Sequence, residues 1–478
     1  MEIGNIRAKK SITSIKSQAR IKLSLKLASR PMNPLPQLSS SSVRSRFTFL
    51  GGAIATAATL ALFAPIFGNA VHAAWQDSPK AVVDEVWQAV NNEYVDGTFN
   101  QTDWQNVRQE LLSRDYSNSE AAYTAIRNAL KKLNDPYTRF LDPKQFKSLT
   151  DQTTGEVSGV GIRLEQDEQT KAIRVVSPIE NSPASRAGIQ SGDIILAVDG
   201  RSTQTMTLEA VSAMIRGRVG TQVQLSISRP GREPREIALV RSQIEVPTVH
   251  YTLRQEGTIK VGYIRLDEFS SHAADQMQKA IQVLKEQQVQ AFVLDLRGNP
   301  GGLLQSSVAI AQMWMDNAPV VRTVNRQGVN QEFRAANRRS LTNLPLAVLV
   351  DGRSASASEI LSGALQDNKR GTVIGSQTFG KALVQSIHPL SDGSGLAVTI
   401  AHYYTPNGTD INHKGITPDI KIDLTNEDIR RLSSSPTLIG TGDDPQYLRA
   451  VNVLTAAGNP RQGVATNPAN SVPTGLTN

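Results

Sequence analysis

The stretch Leu346–Ile360, LAVLVDGRSASASEI, joins five consecutive apolar residues to a cluster of small hydroxyl residues. The apolar run predicts a buried strand, and the residues from Ala357 to Gln366 predict a helix. Ser356 would present its Oγ at the N-terminus of that helix, where unpaired N–H groups and the helix dipole favour developing negative charge. The spacing of Ser356 and Glu359 is also that of a capping box, which needs no catalytic role.

A second strand, loop and helix precede this stretch. Residues 291–296 predict a buried strand and residues 303–315 a helix. The glycines of the intervening loop, DLRGNPGG (295–302), let the backbone approach a ligand and aim its N–H groups at it, as an oxyanion hole requires. A tight turn or a phosphate-binding loop would also use such glycines, although the P-loop pattern is absent.

Strands and helices continue to alternate on both sides of these loops. The strands are predicted at 262–266, 373–375 and 396–402, with a further helix at 273–287. This alternation predicts an α/β core over residues 243–425, with ligands bound at the carboxyl ends of its strands.

Three other segments outside this core have different sequence patterns. Residues 149–242 combine short strands, Gly-rich turns and the hairpin signal Asp199-Gly200, which predicts a compact β module. Residues 74–148 show the apolar spacing of a small helical element. Residues 426–478 are polar, and we expect a disordered tail there.

A nucleophilic serine needs a base, and the sequence offers histidines and one lysine. The six histidines, at positions 72, 250, 272, 388, 402 and 413, do not form the H-E-x-x-H motif of zincins. A Ser–His–Asp triad stays open, because its members converge in space rather than in sequence. Lys381, in TFGKALVQ (378–385), has apolar neighbours that would lower its pKa from about 10.4 toward neutrality and make it a base. A lone lysine in a strand is otherwise a surface residue.

The net charge of +8 comes from the N-terminus. Residues 1–50 hold ten Lys or Arg and one acid, so the remainder carries −1, and we do not expect a nucleic-acid partner. The uncharged run Phe47–Phe67 then predicts an export signal over residues 1–73, cleaved near Ala73. An uncleaved membrane anchor is the alternative, since about 20 apolar residues span a bilayer. The absence of Cys excludes thiol catalysis and Cys-ligated metal.

The segment Ser354–Glu359, followed by Phe379-Gly380-Lys381, resembles the signature of the carboxyl-terminal processing proteases. In that family the serine three positions before the Glu is the nucleophile and the lysine lies about 25 residues on, which is the separation of Ser356 and Lys381. Three further blocks agree in order, namely DPYTRFL (135–141), LDLR (294–297) and GITPDI (415–420). The resemblance covers roughly residues 80–423. Ala382 departs from it, because the family usually has a second glycine there.

The resemblance implies a multidomain α+β and α/β chain with a ClpP/crotonase-like α/β protease core. It implies that Ser356 attacks the scissile carbonyl and that Lys381 accepts the proton. Gln385 matches the family residue that orients the lysine amine, and four residues of separation would place both on one face of a strand. Glu359 matches a residue whose loss matters, and we expect it mainly to support the helix cap and the loop.

The implied oxyanion donors are backbone N–H groups. They belong to Gly302 and Ala357, with Gly301 as a near alternative. Thr378 and Arg297 are either supporting groups of the site or purely structural residues.

Residues 182–200, SPASRAGIQSGDIILAVDG, resemble a PDZ domain, a module that binds a peptide C-terminus by strand addition. The matching carboxylate-binding loop is Ser158–Ile162, which gives Gly159, Val160, Gly161 and Ile162 as substrate-binding residues. These glycines otherwise only shape turns. In the family this module also gates the protease, so a misaligned resting dyad is compatible with the resemblance.

The predicted function is that of an exported serine endopeptidase of Ser–Lys type that cuts protein substrates near their C-terminus without cofactor or metal. The blocks YVDGTFN (94–100) and SDGSGLAV (391–398) resemble the cyanobacterial and chloroplast enzymes that mature a photosystem II reaction-centre precursor in the thylakoid lumen. General processing or degradation in the periplasm is the alternative. A non-catalytic PDZ scaffold is a third hypothesis, which the presence of both Ser356 and Lys381 disfavours.

Overall fold

The computed structural model of the chain describes residues 78–335 and 339–457. The predicted export signal, residues 1–73, lies outside the described residues. Within the described ranges, no helix is both long and apolar enough to cross a bilayer.

Three helices begin the described chain: α1 (Pro79–Glu93), α2 (Trp104–Ser113) and α3 (Ser119–Lys131). Each starts after a residue whose side chain accepts a hydrogen bond from the first turn, namely Ser78, Asp103 and Asn118. Their apolar faces bury Val90, Trp104 and Ile126 in one cluster with Leu396 and Val398, which lie far along the chain. The helices therefore pack on the later part of the protein through a shared core.

The next elements form a linker and a β module with its own apolar core. They are β1 (Arg139–Leu141), α4 (Pro143–Thr154), β2 (Glu156–Gly159), β3 (Ile162–Gln166), β4 (Ile173–Pro178), α5 (Pro183–Arg186), β5 (Ile194–Val198), β6 (Arg201–Ser202), α6 (Leu208–Ile215), β7 (Gln222–Ser228), β8 (Arg235–Val240) and β9 (Ser242–Glu245). The sheet order is β3-β4-β5-β7-β8, with β6 paired to β5. Strands β2 and β9 form an antiparallel ribbon at the two ends of the module.

The remaining elements build the α/β core. They are β10 (Val249–Glu256), β11 (Ile259–Leu266), α7 (Ala273–Glu286), β12 (Ala291–Asp295), α8 (Leu304–Trp314), β13 (Pro319–Asn325), β14 (Asn330–Arg334), β15 (Leu346–Val350), α9 (Ala357–Asp367), β16 (Thr372–Gly375), β17 (Leu383–Pro389), β18 (Gly395–Tyr404), β19 (Ile420–Lys421), α10 (Asn426–Ser434), a 3₁₀ turn (Pro436–Leu438) and α11 (Pro445–Ala457).

The main sheet of the core has the order β10-β11-β12-β15-β16-β19 and is parallel from β11 onward. Successive residues of its strands face opposite sides, so Leu294 packs in the cluster of α7, α8 and α9 while Val293 packs against α11. Burial on both faces explains why these strands read as continuous apolar runs. The loops after β12 and β15 leave the sheet at the same edge, where ligands of α/β folds bind.

A second sheet supplies the other half of the core. Strand β18 pairs with β17 along most of its length and also with β1 and β13, and β14 pairs with β13. The turn that precedes β17 carries Lys381, so this sheet delivers the predicted base to the edge of the main sheet.

The prediction of a disordered tail from residue 426 is wrong for residues 426–457. Helix α11 buries Tyr447, Ala450, Val451 and Leu454 against the main sheet. Its apolar residues cover the face of β11, β12, β15 and β16 that the other helices leave uncovered. The sequence did not predict this packing, because polar residues alternate with the apolar ones along the helix. The remaining part of the predicted tail, residues 458–478, lies outside the described residues.

Two leucines of α11 test this correction. Leu454 is 4% exposed and Leu448 is 44% exposed. We expect Leu454→Ala to lower the free energy of unfolding by about 2–5 kcal/mol, because it leaves a cavity under the sheet. Leu448→Ala is the matched control on the same helix and should change it by no more than about 0.5 kcal/mol. Equal effects in denaturant unfolding would contradict the packing of α11 on the core.

Candidate active site

Ser356 lies between β15 and α9 with a strained backbone. Its φ is 53° and its ψ is −113°, a conformation that costs a non-glycine residue about 1–3 kcal/mol. The Ser356 N–H donates to Glu359 Oε2 (2.9 Å), and the Glu359 N–H donates to the Ser356 carbonyl oxygen (2.8 Å). The pairing of Ser356 with Glu359 has the form of the predicted capping box.

The glycine loop after β12 lies directly against this serine. A Cβ on Gly301 would lie 2.9 Å from Ser356 Cβ, and one on Gly302 would lie 2.4 Å from the Phe269 carbonyl oxygen. Both residues have positive φ, 106° and 139°. Only glycine fits here, because the backbone must approach closely in conformations that side chains disfavour.

The N–H groups of the two glycines differ in whether they already have an acceptor. The Gly301 N–H already donates to Asn299 Oδ1 (2.8 Å). Within the described residues, neither the Gly302 N–H nor the Ala357 N–H has an acceptor. The Ala357 N–H belongs to the first turn of α9, whose donors have no partner inside the helix.

The carboxylate of Glu359 joins the serine loop to the lysine loop. It is fully buried and accepts four hydrogen bonds. Its Oε1 accepts from the Thr378 hydroxyl (2.6 Å) and the Gly380 N–H (2.7 Å). Its Oε2 accepts from the N–H groups of Ser356 and Lys381, each at 2.9 Å. Burial raises the pKa of this carboxyl, and the four donors, which favour the ionised form, limit the rise.

The Lys381 amine lies in a partly buried pocket. Burial, and to a smaller extent the positive charge of Arg139, lower the pKa of Lys381, while the carboxylates of Asp135 and Glu359 oppose this. Its Nζ lies 4.6 Å from the centroid of the Tyr137 ring, a distance at which the ring attracts an ammonium group.

The structure brings Ser356 and Lys381 to one place without a direct bond between their side chains. No hydrogen bond joins Ser356 Oγ to Lys381 Nζ in the described part of the chain. The Tyr403 hydroxyl, from β18, lies within hydrogen-bond distance of two backbone carbonyl oxygens, that of Ser356 (3.1 Å) and that of Lys381. Tyr403 therefore holds the backbone at Ser356 close to the backbone at Lys381, while the Lys381 side chain lies over the Tyr137 ring.

The prediction that Lys381 and Gln385 share one face of a strand is wrong. That Gln385 orients the lysine amine stays a prediction. Lys381 precedes β17, which begins at Leu383, and the pairing of β17 with β18 shifts register between Val384 and Gln385. Alternation across a strand therefore cannot place Gln385 beside Lys381. The Gln385 side chain makes no hydrogen bond to Lys381 among the described residues, and its Nε2 is buried without a partner.

The histidines within the described residues are not hydrogen-bonded to the nucleophile. Three of them pair with acidic residues elsewhere, in the pairs His250–Asp267 (3.1 Å), His272–Glu156 (2.9 Å) and His388–Glu93 (3.0 Å). No hydrogen bond in the described ranges joins a histidine ring to Ser356. His72 lies outside the described residues.

Sequence reasoning missed the aromatic and basic surroundings of Lys381. Tyr137 and Arg139 both occur in the DPYTRFL block, which marked the family but gave no indication of spatial proximity to the lysine. Tyr403 carried no signal, because a tyrosine in an apolar strand predicts only a core residue.

The predicted carboxylate loop connects β2 to β3 in the β module. Gly159 ends β2, and the Val160 carbonyl accepts the Ala184 N–H (3.0 Å). Gly161 has a φ of 77°, and a Cβ there would lie 2.2 Å from Ser182 Cβ. Ile162 begins β3 and packs partly buried against the apolar core of the module. The glycine at 161 is therefore required for packing, whether or not the loop binds a carboxylate.

Comparison with known proteins adds two family matches and several long relatives. Residues 260–422 match peptidase family S41, and residues 174–229 match a PDZ domain. The carboxyl-terminal-processing protease of Picosynechococcus sp. is 42% identical over 372 residues, which cover 78% of this chain and 88% of that protein.

Two other relatives come from different groups of organisms. The chloroplastic carboxyl-terminal-processing peptidase 2 of Arabidopsis thaliana is 41% identical, with 70% of this chain and 67% of that protein covered. The carboxy-terminal-processing protease of Bartonella bacilliformis is 40% identical, with 63% and 69% covered. With this identity over nearly the whole of a relative, and with matching protease and PDZ modules, the chain belongs to the carboxyl-terminal-processing proteases, serine peptidases of family S41.

Proposed function

We propose that this serine peptidase uses Ser356 as nucleophile and Lys381 as general base to cut protein substrates near their C-terminus. The shared carboxylate of Glu359 is the main support, because it ties both residues into one buried network. A PDZ scaffold without catalysis would have no use for a strained serine beside the Gly302 and Ala357 N–H groups, which have no acceptor among the described residues.

In the proposed reaction the Ser356 hydroxyl attacks the scissile carbonyl as its proton moves to the Lys381 amine. The proton then passes to the leaving amine, and water, activated by the same lysine, hydrolyses the acyl-enzyme. Lys381 must be neutral to accept the proton, and its burial favours the neutral form. Its side chain must also leave the face of Tyr137, and catalytic contacts of this kind commonly tighten only once substrate binds.

The oxyanion of the tetrahedral intermediate would accept hydrogen bonds from the Gly302 and Ala357 N–H groups. Gly301 is the weaker candidate, because Asn299 already occupies its N–H. Removing one such donor typically costs about 10²–10³ in kcat.

The β module would hold the substrate by its C-terminal carboxylate, at the loop of Gly159, Val160, Gly161 and Ile162. The match of residues 174–229 to a PDZ domain supports this role for the module. Recognition of the terminus would then place a bond a short distance upstream in the protease site.

The substrate we propose is the precursor of a photosystem II reaction-centre subunit, processed in the thylakoid lumen. The cyanobacterial and chloroplast relatives support it. General processing of exported proteins in the periplasm is the second candidate, because a relative of similar identity comes from Bartonella. An uncleaved N-terminal signal would add membrane association.

A fluorophosphonate probe tests the nucleophile. We expect the probe to label Ser356 in the wild-type enzyme and to leave Ser356→Ala unlabelled, with cleavage reduced at least about 10³-fold. Lys381→Met should reduce both labelling and cleavage, because the hydroxyl then lacks its base. Ser434→Ala, an exposed serine on α10, is the control and should react normally. Cleavage by Ser356→Ala at the wild-type rate would refute the proposal.

In cells, deletion of the gene separates the two substrate candidates. We expect one photosystem II subunit to keep a C-terminal extension when the C-termini of lumenal and membrane proteins are sequenced. Extensions on many unrelated exported proteins would favour general processing instead.

The pH dependence tests Lys381 as the base. Activity should rise with pH as the amine loses its proton, with a midpoint below the 10.5 of an ordinary lysine. Arg139→Gln removes a positive charge that disfavours the ammonium form, so it should raise the pKa of Lys381 and move this rise to higher pH. Asp135→Asn removes a stabilising negative charge and should move it to lower pH.

The control for these shifts is Arg334→Gln, an exposed residue paired with Glu332 far from the lysine in the chain. The kcat/KM profile measured against pH should stay unchanged in this variant. Shifts of Arg139→Gln and Asp135→Asn in the same direction would show that the titrating group is not Lys381.

A further inference from the structure

Asp444, in the segment that the sequence predicted to be a tail, is fully buried and ion-paired. Its Oδ1 accepts a hydrogen bond from Arg297 Nη1 (3.0 Å), and its Oδ2 accepts one from Arg297 Nη2 (2.7 Å). This is the bidentate geometry in which a guanidinium and a carboxylate bind most strongly. The C-terminal segment thus reaches back to a residue of the loop that follows β12.

Arg297 is held from its other side by Asp295, at the end of β12. The Arg297 Nε donates to Asp295 Oδ1 (2.9 Å), and the Tyr263 hydroxyl donates to Asp295 Oδ2 (2.7 Å). Burial disfavours ionisation of Asp295, but the charge of Arg297 and these hydrogen bonds outweigh it and keep the pKa of Asp295 below its usual range. The guanidinium therefore sits between two buried carboxylates and has one orientation.

The loop that begins at Arg297 continues to the proposed oxyanion donors through a chain of hydrogen bonds. The Gly298 N–H donates to Asp351 Oδ1 (2.9 Å). The Asn299 carbonyl accepts from the Ala355 N–H (3.1 Å) and from the Ser358 hydroxyl (3.0 Å). Residues on both sides of the nucleophile are thus bonded to this loop, and the loop passes so close that a Cβ on Gly301 would lie 2.9 Å from Ser356 Cβ. A change in the loop is transmitted to Ser356 and to the Gly302 N–H.

Asp444 also caps helix α11. Its side chain accepts hydrogen bonds from the N–H groups of Gln446 (3.2 Å), Tyr447 (3.3 Å) and Gly440 (3.1 Å). Asparagine is as good a helix cap as aspartate. Asp444→Asn can therefore keep the acceptor of the Gln446 and Tyr447 N–H groups in the first turn of α11. Its NH₂ group takes the place of the Oδ2 that accepts from Gly440 and Arg297, and the charge that Arg297 requires is lost, which separates the helix cap from positioning of the loop.

We propose that Asp444 is a positioning residue for the protease, which fixes the oxyanion loop by clamping Arg297 against Asp295. This inference rests on the proposed function, because it assumes that Ser356 and the Gly302 N–H carry the reaction. Without the second carboxylate the buried guanidinium keeps its bonds to Asp295 and to Gln446 Oε1 (3.0 Å) but is neutralised on one side only, so the loop it anchors is held less firmly. A misplaced donor loses much of its stabilisation of the transition state, since that depends on preorganised geometry.

The test measures kcat, KM and the rate of Ser356 phosphonylation by a fluorophosphonate in the full chain. We expect Asp444→Asn to lower kcat and the phosphonylation rate about tenfold or more, with KM changed less than about twofold. Tyr447→Phe is the matched control on the same helix, because it removes the bond from the Tyr447 hydroxyl to Glu256 (2.9 Å) but leaves Arg297 untouched. It should retain wild-type kcat.

Arg297→Lys provides a second variant in case Asp444→Asn does not fold. Lysine keeps the charge but lacks the fork that spans two carboxylates, so the same loss of kcat is expected. Wild-type phosphonylation rates in folded Asp444→Asn or Arg297→Lys would overturn the inference, and so would an equal loss in Tyr447→Phe. If the wild-type enzyme itself were not labelled at Ser356, the proposed function would fail rather than this inference.

Discussion

The carboxylate of Glu359 accepts four hydrogen bonds from two loops that are distant in sequence, and the geometry of the whole site depends on it. Burying an unpaired charge is costly, so this position is viable only because each oxygen has two donors. Those donors include the N–H groups of Ser356 and Lys381. One buried anion thus sets the distance between the proposed nucleophile and the proposed base without touching either reactive atom.

Both sheets are needed to bring these groups together. The main sheet ends in the loops that carry Ser356 and the glycines, and the second sheet ends in the turn that carries Lys381. Tyr403 connects the two backbones from within the second sheet, and Tyr137, from the segment after the N-terminal helices, covers the lysine amine. The electrostatic environment of the base is therefore built from parts of the chain that lie outside the catalytic loops.

The sequence predicted what local patterns encode. The strand Leu346–Val350 occurs at the predicted residues and the helix after it begins at Ala357 as predicted, because apolar runs and helical spacing are local signals. Ser356 and Lys381 were identified through their spacing in a family signature rather than through physical reasoning, which by itself favoured a helix cap and a surface lysine. The register shift at Val384 and the packing of Tyr447 depend on distant contacts, and for that reason the strand argument for Gln385 and the predicted tail were wrong.

The most direct test of this account is the activity of Glu359→Gln. The amide keeps the size of the side chain but presents an NH₂ group to donors that need an acceptor, so the two loops should separate. We expect folded Glu359→Gln to lose at least about 10²-fold in kcat and in phosphonylation of Ser356, while Glu332→Gln, an exposed control, stays active. A folded Glu359→Gln enzyme with wild-type kcat would show that the carboxylate does not hold the dyad together.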